Sequence, residues 1–173
     1  MRLRRVLITM ALGSMAAPAL AQAPVVGVAD PEALFRDKDP AIQRNKQATL
    51  HIMRELLQCG HWSDAGTWLT ERYIQHNPNV VSGLAPVVRF FGSRPRAPAC
   101  DKLTTPVVAV LADRDLVAVV TARTLKHPTE PGKTYTTSWF DMWRFVDGKA
   151  DEHWDGAELF TPRPATPPAA PSN

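Results

Sequence analysis

Hydrophobic residues recur at helical spacing in the first half of the chain. In NKQATLHIMRELLQCG they form one stripe of a helix that ends at Gly60. The stripe consists of Ala48, Ile52, Met53, Leu56 and Leu57. A second helix is predicted over SDAGTWLTERY, with Trp68, Leu69 and Tyr73 inside, and a short third one over SGLAPVVRFFG. The first half is therefore predicted to be helical.

The second half of the chain has the pattern of strands. PVVAVLAD is an apolar run, LVAVVTARTLKH is rich in β-branched residues, and KTYTTSWFDMWRF is a long aromatic strand. Asp147-Gly148 then predicts a hairpin turn into KADEHWDGAELF. Helices followed by an antiparallel meander predict an α+β fold, with the helices packed on one face of a curved sheet and a pocket between the two layers.

The length of this hairpin loop decides which side chains share a face. A two-residue loop puts Phe140 opposite Asp155 and turns Asp141 away. A three-residue loop, Val146-Asp147-Gly148, puts Asp141 opposite His153. We favour the longer loop because it groups aromatic and polar side chains as a small-molecule pocket does. That group is Trp139, Asp141, Trp143, Phe145, His153 and Asp155, with Arg144, Phe140, Met142, Glu152 and Trp154 on the other face.

The first 21 residues are predicted to be a secretory signal peptide. Arg2, Arg4 and Arg5 precede an apolar run that ends in Ala19-Leu20-Ala21, with cleavage favoured after Ala21. We expect a periplasmic or secreted protein without a membrane span after cleavage; a retained anchor is the alternative. A lead-in segment over 22–39, a domain over 40–160 and a disordered Pro/Ala-rich tail over 161–173 follow.

Charge and cysteine content narrow the function further. Removal of three arginines leaves 17 basic and 17 acidic residues, with no basic stripe, which argues against nucleic-acid binding. Cys59 and Cys100 could form one disulfide after export or stay buried free thiols, and the bridge is slightly favoured. Their spacing fits neither a redox motif nor a metal site.

Several segments together resemble the SnoaL-like group of the nuclear transport factor two-like superfamily. They are DKDPAIQRNKQ, ERYIQHNPNVVSG, WFDMWRF and DGKADEHWDG, and the resemblance spans roughly Phe35 to Leu159. It implies about three N-terminal helices lining a strongly curved mixed sheet around a deep pocket. The founding enzymes are polyketide cyclases, which perform an aldol condensation by acid–base chemistry without a metal.

The resemblance and the strand pattern together suggest the site residues. The family's acid–base aspartate corresponds to Asp155, but the position of the cyclase histidine is held here by Asp141. Two acids in one cavity can act as an acid and a base. His153 and His76 complete the candidate catalytic set. The predicted pocket wall consists of Tyr73, Asn77, Trp139, Trp143, Trp68 and Phe90.

The predicted ligand is a small hydrophobic carbonyl compound, bound without a cofactor or metal. A two-histidine, one-carboxylate metal site from His76, His153 and Asp155 is a minor alternative. A non-catalytic ligand-binding or oligomerisation domain is the competing function. Homodimerisation through the outer sheet face, with Phe140, Met142 and Trp154, would cover an apolar patch.

Overall fold

Five strands form one mixed sheet in the computed structural model, which describes residues 22–93 and 95–160. The strands are β1 (Leu69–Gln75), β2 (Val107–Asp113), β3 (Leu116–Lys126), β4 (Thr134–Val146) and β5 (Lys149–Asp155). Across the sheet they follow the order β1-β5-β4-β3-β2, and β1 runs parallel to β5 while the other neighbours are antiparallel. The predicted α+β class is confirmed.

The main helix begins and ends where its sequence signals predict. In α1 (Pro40–His51), the Asp39 side chain accepts hydrogen bonds from the backbone N–H groups of Ala41 and Ile42, and proline occupies the first turn. The helix continues as a π-helical segment, Ile52–Gln58, and Gly60 ends it with a positive φ of 73°. The π-helical turn lies where this helix reaches the cavity described below.

Three shorter helices join α1 to form the helical layer of the domain. Two 3₁₀ helices span Pro31–Phe35 and Trp62–Thr67, and α2 spans Leu84–Phe91. Trp62 stacks on Phe91 with ring centroids 4.5 Å apart, which ties the second 3₁₀ helix to α2. Among the described residues, no helix is both long and apolar enough to cross a membrane.

The predicted second helix is wrong, because LTERYIQ forms strand β1. Leu69 and Tyr73 lie four residues apart, a spacing that fits a helix and a strand equally well. Pairing with the last strand decides between them: the Ala150 N–H donates to the Trp68 carbonyl at 2.8 Å, and the His76 N–H donates to the His153 carbonyl at 3.0 Å. The partners of these two bonds lie 82 and 77 residues apart in the chain, so local periodicity does not contain them.

The β4–β5 hairpin has a two-residue loop, so the predicted three-residue loop is wrong. Val146 pairs with Lys149, and Asp147 and Gly148 both have positive φ, as a type I′ turn requires. A β-bulge at Asp151 then shifts the register by one residue, since Phe145 pairs with Ala150 but Arg144 pairs with Glu152.

The bulge places His153 and Asp155 on the same face of the sheet as Asp141. Beyond it, Trp143 pairs with His153 and Asp141 pairs with Asp155, so the predicted pairing of Asp141 with His153 is wrong. The predicted grouping of side chains by face is therefore found, although a different local structure produces it. We call this side of the sheet the cavity face, and the side carrying Phe140, Met142 and Arg144 the outer face.

Two connections tie the edges of the domain together. The lead-in segment runs along the sheet, where the Val28 N–H donates to the Val107 carbonyl and the Val25 N–H to the Thr136 hydroxyl. Cys59, which follows the π-helical segment, forms a disulfide with Cys100 in the loop before β2. The predicted signal peptide (1–21) and tail (161–173) lie outside the described residues.

Candidate functional site

A cavity of about 420 Å³ lies between the helical layer and the cavity face of the sheet. Its inner wall is apolar and buried, and is formed by Ile52, Met53, Leu56, Trp62, Leu69 and Val87 among others. Its other end is polar and reaches the surface beside Arg123 and Phe160, both exposed. This volume and this division between apolar wall and polar end are typical of small-molecule sites.

Three ionisable side chains converge at the polar end of the cavity. Asp141 of β4 and His153 and Asp155 of β5 each present a ligand-capable atom, and these atoms all lie within 4.8 Å of one another. Asp141 and His153 are largely buried, with 13% and 8% of their side chains exposed. The hairpin register described above brings the three together, since Asp141 and Asp155 are direct partners in the ladder.

Hydrogen bonds around His153 place one of its protons on Nδ1. Gln75 Oε1 accepts the backbone N–H of Asn77 at 3.2 Å and lies 2.6 Å from His153 Nδ1, so Nδ1 donates to it. His153 Nε2 then faces Asp141 Oδ1 at 3.2 Å. Because two lone pairs would repel each other, this second contact needs a proton, carried by either the imidazole or the carboxyl group. The pair is neutral overall in both cases.

Asp155 is held by two hydrogen bonds that leave its carboxylate at the cavity. Oδ2 accepts the Asn77 side-chain amide at 2.8 Å, and Oδ1 accepts the Ala157 backbone N–H at 2.9 Å. These bonds orient the carboxylate so that it can accept a proton from a ligand in the cavity. Asn77, predicted as part of the pocket wall, thus also positions Asp155.

Tyr73 and Trp143 form a buried polar pair next to these acids. The Trp143 indole N–H donates to the Tyr73 hydroxyl at 3.0 Å, and both residues line the cavity. Burial raises the pKa of the Tyr73 hydroxyl well above its ordinary value. The hydroxyl therefore stays protonated and, among the described residues, has no acceptor for its own proton, so it can donate to a ligand oxygen.

Three residues predicted for the site lie outside the cavity. His76 is on the outer face, where it bonds Glu152 at 2.8 Å and stacks on Trp154, because the ladder with β5 turns it away from His153. Trp68 instead donates to Glu55 and stacks on His51. Phe90 lies on the exposed side of α2, since Val87 and Phe91 occupy its inner side. Their predicted places in the pocket are wrong.

Sequence analysis also missed two residues of the site. Gln75 orients His153, and Arg123 of β3 places its guanidinium carbon 3.6 Å from the centre of the Trp139 ring. The sequence does not indicate Gln75 because it does not predict strand β1, on which Gln75 lies. Arg123 could have been found, because it alternates with Thr121 along β3 and both line the cavity.

Asp141, His153 and Asp155 also form a set that could hold a divalent cation. Their spacing and their mixture of one imidazole and two carboxylates suit such an ion, and Gln75 and Asn77 would act as outer-shell partners. The set differs from the minor alternative raised by the sequence, because His76 faces away. Metal independence stays a prediction.

Comparison with known proteins identifies the family. Residues 50–153 match the family profile described as the SnoaL-like domain, which is more than half of the chain. The protein therefore belongs to the SnoaL-like family, as predicted. The matched region includes both hairpin strands up to His153. Among functionally curated proteins, none matches the sequence significantly.

Solved structures with similar architecture share little sequence with the chain. One, from Jannaschia sp. CCS1, is assigned as a SnoaL-like polyketide cyclase; it has 18% identity and a TM-score of 0.49, with 70% of this chain and 91% of that chain covered. Another, from Kribbella flavida, is assigned as a ketosteroid isomerase, with 18% identity, a TM-score of 0.47 and coverages of 76% and 90%. Similarity at this level says nothing about the substrate of this protein.

Proposed function

We propose that the protein binds a small hydrophobic carbonyl compound and catalyses proton transfer at the carbon next to the carbonyl group. One observation carries this proposal: Asp141, His153 and Asp155 converge within 4.8 Å at the polar end of a cavity whose inner wall is apolar. An apolar ligand body would fill the inner part. Its carbonyl group would then lie among groups that can take and give protons.

Each polar group has a distinct task in this reaction. The Asp155 carboxylate removes a proton from the carbon, and the electron pair moves to the carbonyl oxygen. The Tyr73 O–H donates a hydrogen bond to the oxyanion that develops there. The proton held between His153 and Asp141 can then be delivered to the enolate, or Asp155 returns its own. A ligand with a second carbonyl group would instead close a ring by aldol addition.

Exchange of carbon-bound hydrogen for deuterium tests this proposal directly. We expect the protein to accelerate exchange at the α-carbon of butyrophenone and of 4-oxo-4-phenylbutanoate in D₂O, followed by ¹H NMR. Treatment with EDTA should leave the rate unchanged. The control is His76→Gln, which alters a histidine of the outer face and should retain the rate within about two-fold.

The competing function is non-catalytic ligand binding. Asp141 stands where the cyclases carry a histidine, and this difference favours a protein that keeps the cavity without the reaction. Quenching of Trp139 and Trp143 fluorescence by a ketone, with no exchange above the buffer rate, would establish this second function. Loss of exchange on EDTA treatment, restored by a divalent cation, would overturn metal-independent catalysis.

We further propose that the protein is exported and acts in an oxidising compartment. The Cys59–Cys100 disulfide supports this, because such bridges persist mainly outside the cytosol. Mass spectrometry of the protein from the periplasmic or culture fraction should find Gln22 as its first residue. An intact N-terminus in that fraction would instead indicate a retained anchor.

A further inference from the structure

Arg123 occupies the rim of the cavity in an arrangement suited to bind an anion. It lies on β3 opposite Thr137, two residues beyond Thr121, whose partner in the ladder is Trp139. Its guanidinium carbon lies 3.6 Å from the centre of the Trp139 ring. Stacking of this kind fixes the guanidinium plane and leaves the N–H groups along its edge free to bond.

The hydrogen-bonding groups of Arg123 have no acceptor among residues 22–93 and 95–160. The arginines of the outer face differ in this respect: Arg72 binds Asp151, and Arg144 binds both Asp115 and Glu152. Partial burial lowers the pKa of Arg123, and the charges of Asp141 and Asp155 act in the opposite direction. Arginine nonetheless stays protonated near neutral pH, so the rim carries an unpaired cation.

Arg123 and Asp155 carry opposite charges at the polar end of the cavity. Asp141 and His153 share a proton and are neutral as a pair, as their hydrogen bonds require. Of the two acids that line the cavity, Asp155 is then the one whose charge is not neutralised by a histidine. No ion pair joins Arg123 to Asp155 in the part of the chain that the structure describes, so the guanidinium N–H groups stay available to a ligand carboxylate.

We infer that the substrate is a keto acid, with its carboxylate bound by Arg123 and its apolar part in the cavity. This inference rests on the proposed function for the carbonyl group, but the carboxylate site stands on the geometry of Arg123 alone. The planar fork of arginine matches a carboxylate with two parallel hydrogen bonds. The apolar inner wall selects the remainder of the molecule.

A matched pair of ligands tests the inference. The probes are 4-oxo-4-phenylbutanoate and its methyl ester, which differ in charge but share the ketone and the ring. Binding is measured by titration calorimetry and by tryptophan fluorescence. We expect the wild-type protein to bind the acid at least about ten times more tightly than the ester, since hydrogen bonds to charged groups are strong.

Variants of Arg123 separate recognition of the carboxylate from support of the fold. Arg123→Gln should weaken binding of the acid by about 10- to 100-fold and change binding of the ester by less than about two-fold. Arg123→Lys should fall between, because lysine keeps the charge and loses the fork. The control Lys126→Gln removes a charge from an exposed position on the same strand and should leave both affinities unchanged.

Two results would overturn the inference. The first is equal affinity of the wild-type protein for the acid and the ester. The second is an equal loss of affinity for both ligands in Arg123→Gln, which would show that Arg123 only supports Trp139. Failure of the proposed function looks different, because the acid would bind selectively while neither ligand exchanged its α-hydrogen. Exchange of both ligands without selectivity for the acid would defeat this inference alone.

Discussion

Replacing Asp155 by asparagine is expected to slow α-hydrogen exchange by at least about 100-fold, the scale on which a positioned general base contributes. Asparagine keeps the size of the side chain and one oxygen, which can still accept the Ala157 N–H. It cannot accept a proton from carbon. Ligand binding should therefore change by only a few-fold, and the loss should appear in kcat.

The control for this prediction is Asp113→Asn, which neutralises an exposed acid at the end of β2. It should retain the wild-type rate within about two-fold. If Asp155→Asn keeps more than about a tenth of the rate, Asp155 is not the base. The same measurement on Asp141→Asn would then show whether the Asp141–His153 pair removes the proton instead.

The second large effect is expected for Asp151→Asn, which should lower the free energy of unfolding by about 1–3 kcal/mol at pH 7. Asp151 is the extra residue of the β5 bulge, and its side chain is 6% exposed. It accepts hydrogen bonds from the Thr70 hydroxyl at 2.7 Å and from the Arg72 guanidinium. Asparagine has a single oxygen and no charge, so it cannot replace all of these bonds, and its amide N–H₂ would face a donor.

The effect of Asp151→Asn should depend on pH in a defined direction. The hydrogen bond from Arg72 is the largest cause that holds the pKa of the Asp151 carboxyl below its ordinary value; burial opposes it, and Thr70 adds to it. The stabilisation is therefore complete above about pH 4, the ordinary value for aspartate, and is lost as the pH falls through the lower folded value.

Urea unfolding of both proteins between pH 7 and pH 3 measures this difference, which should narrow below about pH 4. Glu71→Gln, an exposed neighbour on β1, is the control and should cost less than about 0.5 kcal/mol at any pH. A difference between wild type and Asp151→Asn that is constant across this range would contradict the ionic role of Asp151.

Much of the fold follows from the sequence because its signals are local. Asp39 before a proline, the apolar stripe from Ala48 to Leu57, and the apolar and β-branched runs of β2, β3 and β4 each specify an element by themselves. Strand β1 does not, because its two inward hydrophobic residues, Leu69 and Tyr73, fit both periods. Only its parallel pairing with β5 makes it a strand.

The candidate site also depends partly on local sequence signals and partly on contacts between distant segments. Alternation along β5 correctly groups His153 with Asp155, and the predicted hairpin register adds Asp141 to them. The predicted loop length is wrong, but the predicted assignment of side chains to the two faces of the sheet is correct. A two-residue turn followed by a one-residue bulge gives the same alternation of side chains as a three-residue loop. Nothing in the sequence distinguishes these two solutions, since bonds from Thr70 and Arg72 to Asp151 hold the bulge.

His76 illustrates a different limit. A histidine in a loop next to asparagine and proline is equally compatible with either face of the domain, and its stacking on Trp154 is a contact between distant segments. The same loop supplies Asn77, which the resemblance placed correctly in the cavity wall. Adjacent residues at the end of a strand therefore serve opposite sides of the sheet, as alternation requires.

The parallel pairing of β1 with β5 has a consequence for the order of folding. β1 ends at Gln75, and its partner β5, the last strand among the described residues, begins at Lys149. Tyr73 and Gln75 can therefore contact His153 only after nearly the whole domain has been synthesised. Contacts between such distant segments form slowly because a long loop must close first. A nascent chain that stops before Lys149 would hold helices and a three-stranded meander, but no assembled cavity.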